Sequence, residues 1–281
     1  MSHDLPHDPA HDLPVIGAAM TVEDLAVYRD WVLEKHRDLE LQSFHTAEVL
    51  NGDWMPLVTE ARRLLDGYQG RLGIHGPFWG FTVDSMDPDV RAVVQKRMMQ
   101  GLDVCAAVGA TQMVIHSPFT TWDYNNLDMM EGARDKLFTN AHLTLDPIVD
   151  RAEEQGVTLV MENIEDIDPA DRKRLCDSFG SAALKLSVDT GHAHYAHCST
   201  GAPPVDYFVR LAGETLDHIH LQDACGHADR HWGIGEGSIL WTSVFRAVAA
   251  LPVKPRLLLE LRDKADIPGS MAWLAARGLG Q

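Results

Sequence analysis

Short apolar runs and amphipathic stretches alternate along the whole chain. The apolar runs are too short to be helices and favour buried strands, whereas the stretches between them repeat large apolar residues at helical spacing, as Leu25, Tyr28 and Val32 do. The predicted strands cover residues 15–20, 39–45, 72–77, 111–117, 157–163, 184–189, 216–221 and 256–261. The predicted helices cover residues 22–37, 55–68, 88–108, 140–155, 169–179, 204–212, 240–250 and 269–276.

This alternation predicts an α/β fold with a parallel sheet, because each helix returns the chain to the start of the next strand. Eight such units in a chain of 281 residues are typical of a single-domain (β/α)8 TIM barrel. An open doubly wound sheet is the alternative, but it favours a glycine-rich phosphate loop after the first strand, and GAAMT at residues 17–21 is a poor one. We therefore expect residues 13–281 to form the barrel and residues 1–12 to form a flexible N-terminal arm.

The composition of the chain disfavours nucleic acids and membranes as binding partners. The net charge is −17, from 24 Lys and Arg against 41 Asp and Glu, which opposes the phosphates of nucleic acids and the surfaces of membranes. No apolar stretch reaches the roughly 18 residues that span a bilayer, and the polar N-terminus does not resemble a secretory signal. The four cysteines form no CxxC pair, so we expect reduced thiols and a cytoplasmic location.

Carboxylate and imidazole side chains recur where the predicted strands end or in the loops that follow. They are His75, His116, Glu162, Asp189, His192, His220, Asp229, His231 and Glu260. The carboxyl ends of barrel strands and the loops after them meet at one mouth, where barrel enzymes place their active sites. We therefore expect these nine residues to converge there despite their separation in sequence.

Four of the nine come from four successive strands and point inward, and they are Glu162, Asp189, His220 and Glu260. Three buried carboxylates would repel one another strongly if nothing compensated their charge, and a divalent cation would do so. Imidazole ligands favour zinc and carboxylate ligands favour manganese or magnesium. The sequence therefore predicts at least one divalent ion, zinc or manganese, with capacity for up to three.

The segments that carry these residues resemble a known superfamily. MEN, VDTGH, HIHLQD, DRHWGIGEG and LELR are together similar to the sugar isomerases and epimerases with xylose-isomerase-like TIM barrels, a group that includes nucleases of the endonuclease IV type. The resemblance extends over residues 15–278. It implies that Glu162, Asp189, His220 and Glu260 form the single-metal quartet of the ketose 3-epimerases. It also implies that all nine residues lie where endonuclease IV holds three zinc ions.

Two activities follow from the resemblance. The first is a metal-dependent isomerase or epimerase of a sugar, keto-sugar or polyol, working through an enediolate with Glu162 and Glu260 as acid and base and His192 on a substrate oxygen. The alternative is a multinuclear zinc phosphoesterase of the endonuclease IV type, in which Glu162 and Glu260 bridge metals. A purely structural metal site is disfavoured, because such sites are closed and rich in cysteine whereas this one is at an open mouth.

The loops that follow the third and fourth predicted strands, WGFTVDSMDP and FTTWDYNNLDMMEG, are aromatic and acidic rather than basic. They suit a small sugar-like substrate better than DNA, with Trp79 and Trp122 stacking on a sugar ring. Arg262, which shares a strand face with Glu260, and Asn163, beside Glu162, are further candidate substrate contacts. Barrels of this kind often form homo-oligomers, and the sequence leaves the oligomeric state open.

Overall fold

The computed structural model describes residues 13–281, so the predicted N-terminal arm lies outside the described residues. The strands are Gly17–Met20 (β1), Leu39–Leu41 (β2), Leu72–His75 (β3), Gln112–His116 (β4), Thr158–Glu162 (β5), Leu184–Asp189 (β6), Leu216–Leu221 (β7) and Arg256–Leu259 (β8). The α-helices are Val22–Glu34 (α1), Ala47–Asn51 (α2), Met55–Leu64 (α3), Pro88–Val108 (α4), Thr121–Asn126 (α5), Ala133–Gln155 (α6), Pro169–Ser178 (α7), Thr190–Thr200 (α8), Val205–Ala212 (α9), Trp241–Ala249 (α10) and Ile267–Ala275 (α11).

The eight strands form a closed parallel barrel in sequence order, and β1 also pairs with β8. The predicted (β/α)8 fold is therefore confirmed. Because every strand runs in the same direction, all eight carboxyl ends face one mouth. The register places His116 opposite Glu162 and Asp189 opposite His220, so polar residues of neighbouring strands lie at the same height.

Both faces of the sheet are covered, as a parallel sheet requires. Every residue of β1, β2, β3 and β8 is buried. Glu40 and Ser187 are among the buried polar residues of the strands.

Among residues 13–281, no helix is both long and apolar enough to cross a bilayer.

Three helices were missed by the sequence analysis. The helices α2 and α5 are short, and each begins at a threonine whose side chain accepts a hydrogen bond from the first turn. The longer helix α8 begins directly after Asp189, and its buried face is built from small or polar residues. Periodicity of large apolar residues, on which the helix predictions rested, is absent there. The helix α6 also begins earlier than predicted, at Ala133.

A buried ion pair connects β5 and β6 near their carboxyl ends. The Nε of Arg172 donates to Asp166 at 2.9 Å, and its Nη1 donates to the backbone carbonyls of Met161 and Ser187. Both charged side chains are almost completely buried. Since Met161 precedes Glu162, this pair holds the backbone behind a predicted metal ligand.

Replacing Asp166 with Asn should lower the free energy of unfolding by about 3–5 kcal/mol, because the buried guanidinium loses its counter-charge. The matched control is Asp177→Asn, on the helix that carries Arg172, which removes a solvent-exposed ion pair with Lys173. That control should cost about 0.3–0.5 kcal/mol. Urea unfolding followed by circular dichroism measures both changes, and equal losses in the two variants would contradict the structural role of the buried pair.

Candidate metal centre

The nine carboxylate and imidazole residues predicted from the sequence lie together at the mouth and form three groups. The inner group is Glu162, Asp189, His220 and Glu260; the first outer group is His75, His116 and Glu162; the second outer group is His192, Asp229 and His231. Within each group, one potential ligand atom of every residue lies within 4.8 Å of the others. Glu162 belongs to two groups, so its two oxygens can face two different ions.

The inner group is enclosed by the ends of β5 to β8. The Nδ1 of His220 lies 3.3 Å from an oxygen of Glu162 and 3.3 Å from an oxygen of Glu260. Two atoms of its members, His220 Nδ1 and Glu162 Oε2, are buried without a hydrogen-bond partner. Buried polar atoms are rarely left unpaired, and divalent cations would give both a partner. The residues present therefore fit a metal ion.

The first outer group surrounds the second oxygen of Glu162. Nε2 of His75 and Nε2 of His116 lie 3.9 and 4.0 Å from Glu162 Oε2. The Nδ1 of His75 bonds the carbonyl of Gly76 at 2.9 Å, which leaves its Nε2 free to act as a ligand. Burial lowers the pKa of His116 to about 3, so this imidazole is neutral, the form that binds metals.

The second outer group is closer to solvent. Asp229 approaches Nε2 of His192 at 3.6 Å and Nε2 of His231 at 3.1 Å. The Nδ1 atoms of these two histidines bond the carbonyls of Asn163 and Glu260, each at 2.9 Å. As in the first outer group, a backbone carbonyl selects Nε2 as the outward atom. His231 adopts a φ of 50°, a left-handed conformation that non-glycine residues rarely take and that often marks functional sites.

When no metal ion is bound, protonated imidazoles balance the negative charges of the carboxylates. Burial by itself would lower the pKa of His192 and of His220, but nearby carboxylates, Asp189 and Glu260 respectively, raise both well above the ordinary value. The pKa of His231 rises to about 9, because Asp229 and Glu260 outweigh its burial. Burial raises the pKa of Asp189 to about 6. A metal ion would replace these protons as the source of positive charge.

Sequence reasoning missed several residues that support the cluster. Glu40 on β2 accepts from His220 Nε2 at 3.2 Å, and Gln42, just after β2, donates to Glu260 at 2.6 Å. A signal was available, because Glu40 and Gln42 are two positions apart and alternate with Leu39 and Leu41. In a barrel whose outer face is covered by helices, such polar positions point to the interior.

Gln222 is a second supporting residue that the sequence did not reveal. Its Nε2 donates to Asp189 at 3.2 Å and to Asp229 at 2.9 Å, and its Oε1 accepts from the backbone of His231 at 2.8 Å. It therefore ties the inner group to the second outer group. Gly191 makes room for it, since a Cβ at that position would lie 2.2 Å from the Gln222 side chain.

The four predicted substrate contacts differ in burial. Trp79 and Trp122 are 66% and 73% exposed, and Trp79 lines a cavity of about 240 Å³ at the rim. The side chain of Arg262 is exposed as well. Asn163 is buried, and its amide exchanges two hydrogen bonds, of 2.9 and 3.1 Å, with the backbone of Asp189. These bonds fix the Asn163 side chain beside Asp189, and a contact of Asn163 with substrate stays a prediction.

Known proteins share this fold and parts of this sequence. An uncharacterized protein of Methanocaldococcus jannaschii, MJ1311, is 25% identical over 211 residues, which are 72% of this chain and 68% of the relative. The structure of a D-tagatose 3-epimerase-like protein aligns with a TM-score of 0.74 at 20% identity, covering 93% of this chain and 96% of that one. TTHB071 of Thermus thermophilus, from a crystal soaked with ZnCl2, aligns with a TM-score of 0.68 at 26% identity, covering 95% of this chain and 99% of that one.

The family model described as a xylose isomerase-like TIM barrel matches residues 37–277. This range contains all nine residues of the metal centre, and it agrees with the resemblance carried by the MEN, VDTGH and DRHWGIGEG segments. The match extends over most of the described residues. The chain therefore belongs to the xylose isomerase-like TIM barrel family.

Proposed function

We propose that the inner group holds one divalent ion, zinc or manganese, and that the two outer groups provide ligands for up to two more. Support comes from the mixed imidazole and carboxylate donors and from the unpaired atoms of Glu162 and His220. The structural relative TTHB071, whose crystal was soaked with ZnCl2, is consistent with zinc.

We propose that the protein is a divalent-metal-dependent isomerase or epimerase of a sugar, keto-sugar or polyol. The observation that carries this proposal is the placement of Glu162 and Glu260. The two carboxylates are buried, come from strands three positions apart around the barrel, and approach the same imidazole nitrogen at 3.3 Å. An epimerase that inverts one carbon through an enediolate can use two proton-transfer groups on different sides of that carbon. The likeness to a D-tagatose 3-epimerase-like protein agrees with that chemistry.

Each carboxylate has an oxygen suited to proton transfer. When bound, the divalent ion would polarise the substrate carbonyl and its neighbouring hydroxyl and so stabilise an enediolate. Glu260 Oε2 faces the centre as a ligand, and Oε1, which accepts from Gln42, keeps a second lone pair that would take the proton. Glu162 Oε2 has no hydrogen-bond partner, so it could take up a proton before the reaction and return that proton to the substrate carbon as Glu260 removes another. His192, held by the carbonyl of Asn163, would bind a substrate oxygen.

The two outer groups favour a second candidate, a multinuclear zinc phosphoesterase. If an ion occupied the first outer group, Glu162 would bridge it to the inner ion and both of its oxygens would be ligands. Glu162 could then no longer carry a proton. The number of ions needed for activity therefore separates the two candidates.

The remaining expectations belong to the same proposal. The substrate would be a small sugar-like molecule, contacted by Arg262, by Asn163 and by the exposed Trp79 and Trp122. The net charge of −17 disfavours nucleic acid as the substrate of a phosphoesterase, so a small phosphate ester suits the second candidate better. We also propose a cytoplasmic location, from the cysteine pattern, and a homo-oligomer.

Returning metal to the chelated protein in steps tests the proposal. Carbon-bound deuterium uptake from D2O by D-tagatose and D-fructose, followed by NMR, should reach its maximum at one Mn2+ or Zn2+ per chain. Hydrolysis of p-nitrophenyl phosphate and bis-p-nitrophenyl phosphate should stay at background. Hydrolysis that appears only after the second or third equivalent, with no exchange into either ketose, would reject the isomerase and favour the phosphoesterase.

Replacing Glu162 or Glu260 with Gln should lower the exchange rate by roughly 100- to 10,000-fold, because each substitution removes a proton-transfer group. Glu165→Gln is the matched control, since Glu165 follows the same strand but is exposed and outside the three groups. Circular dichroism should show that all three variants are folded. Near-normal exchange in a folded, metal-loaded Glu260→Gln variant would exclude Glu260 as the base.

Metal binding at pH 7 should release protons. The pKa of about 9 of His231 lies above pH 7, so the metal-free imidazole is protonated and must lose its proton to become a ligand. His116, with a pKa of about 3, should contribute none. Calorimetric titration of Zn2+ in two buffers of different ionisation enthalpy measures the release. The release should shrink above about pH 9, and its absence at pH 7 would contradict these ligand assignments.

A further inference from the structure

The strand β2 carries none of the nine candidate ligands, yet two side chains on it or directly after it touch them. Glu40 bonds His220, and Gln42 bonds Glu260. We propose that Glu40 and Gln42 are positioning residues that aim one imidazole and one carboxylate at the inner ion. The inference rests on the metal centre of the proposed function and is independent of the reaction catalysed there.

The Glu40 contacts select the tautomer of His220. Nε2 of His220 lies 3.2 Å from each oxygen of Glu40, so that nitrogen carries the hydrogen and donates it. In the neutral ring that binds a metal, the lone pair is then on Nδ1, the atom that faces Glu162 and Glu260 without a partner of its own. A carboxylate behind an imidazole ligand both orients the ring and makes the opposite nitrogen a stronger donor to metal.

A second histidine on β7 completes the arrangement. Nε2 of His218 lies 3.2 Å from Glu40, and its Nδ1 lies 2.8 Å from the hydroxyl of Ser187. If Ser187 donates to Nδ1, the hydrogen of His218 is on Nε2 and faces Glu40. Nε2 of His218 forms no hydrogen bond with Glu40, so His220 is the ring that both Glu40 oxygens hold, and His218 packs beside that contact.

The burial of Glu40 supports a functional role for its contact with His220. The residue is 1% exposed, and no Lys or Arg of residues 13–281 forms an ion pair with it. A buried carboxylate whose partners are imidazoles, rather than Lys or Arg, is costly unless those rings carry positive charge, and an apolar residue would serve the barrel interior better. An ion bound through His220 would supply the missing positive charge at the distance of one imidazole ring.

Gln42 acts in the same way on Glu260. Its Nε2 donates to Glu260 Oε1 at 2.6 Å, while its Oε1 faces the ammonium of Lys264 at 3.5 Å. Lys264 is itself anchored to the carbonyl of Leu261 at 2.6 Å. The amide orientation of Gln42 is therefore fixed, and the Oε2 of Glu260 is directed to the centre.

The test compares Glu40→Gln with Asp38→Asn. Both change a carboxylate to an amide near β2, but Asp38 pairs with Arg71 at the opposite end of the barrel. Co2+ and Zn2+ affinities are measured by competition with a chelator, and the visible spectrum of bound Co2+ reports ligand geometry. Glu40→Gln should weaken binding of the inner ion by about 10- to 100-fold and alter the spectrum. Asp38→Asn should match the wild type in both.

Two more variants keep the result interpretable. Glu40→Asp retains the negative charge and should recover part of the metal affinity. If Glu40 served folding alone, two variants of equal stability would bind the metal equally well, whatever their charge at position 40. If Glu40→Gln does not fold, Gln42→Met removes only the donor to Glu260 and should also change the Co2+ spectrum. Wild-type affinity and spectrum in a folded Glu40→Gln or Gln42→Met variant would overturn the inference.

The measurement uses metal alone, so it separates this inference from the proposed activity. Loss of affinity in Glu40→Gln without ketose exchange in the wild type would support the positioning role and reject the isomerase. A wild-type protein that binds neither Co2+ nor Zn2+ would overturn the proposed centre and the role of Glu40 with it.

Discussion

Mutual repulsion among buried acidic groups is the constraint on which the mouth of this barrel depends. Glu162 and Glu260 each lie 3.3 Å from Nδ1 of His220, Asp189 belongs to the same group of potential ligands, and all of these side chains are buried. Protons on the imidazoles can balance these charges, and so can a divalent ion. The carboxylates can remain so close only because one of these positive charges is present, and the surrounding structure is arranged to hold them there.

Around these groups, four of the five imidazoles of the centre have one ring nitrogen hydrogen-bonded to the protein. Backbone carbonyls hold Nδ1 of His75, His192 and His231, whereas a carboxylate, Glu40, holds Nε2 of His220. Commitment of one nitrogen fixes which nitrogen faces the ion. His220 is held by a carboxylate rather than a carbonyl, and it lies in the inner group, where its Nδ1 faces two carboxylates, Glu162 and Glu260.

The two oxygens of Glu162 link the number of bound ions to the reaction that the site could catalyse. One of its oxygens faces the inner group and the other faces His75 and His116. A single ion leaves the second oxygen free to move protons, whereas a second ion would take it as a ligand. The same residue can therefore serve enolisation or phosphate ester hydrolysis, and the occupancy of the outer groups separates the two.

The sequence by itself determined the eight strand–helix units, because periodicity and chain reversal are local properties, and it placed nine polar residues at one mouth because parallel strands share one direction. It did not indicate α8, whose buried face is made of small or polar residues, or the roles of Glu40, Gln42 and Gln222. These residues act through contacts such as Glu40 to His220, which are 180 positions apart in the chain. Closure of the barrel, which pairs β1 with β8, decides which side chains meet across its interior, and no local pattern encodes those distances.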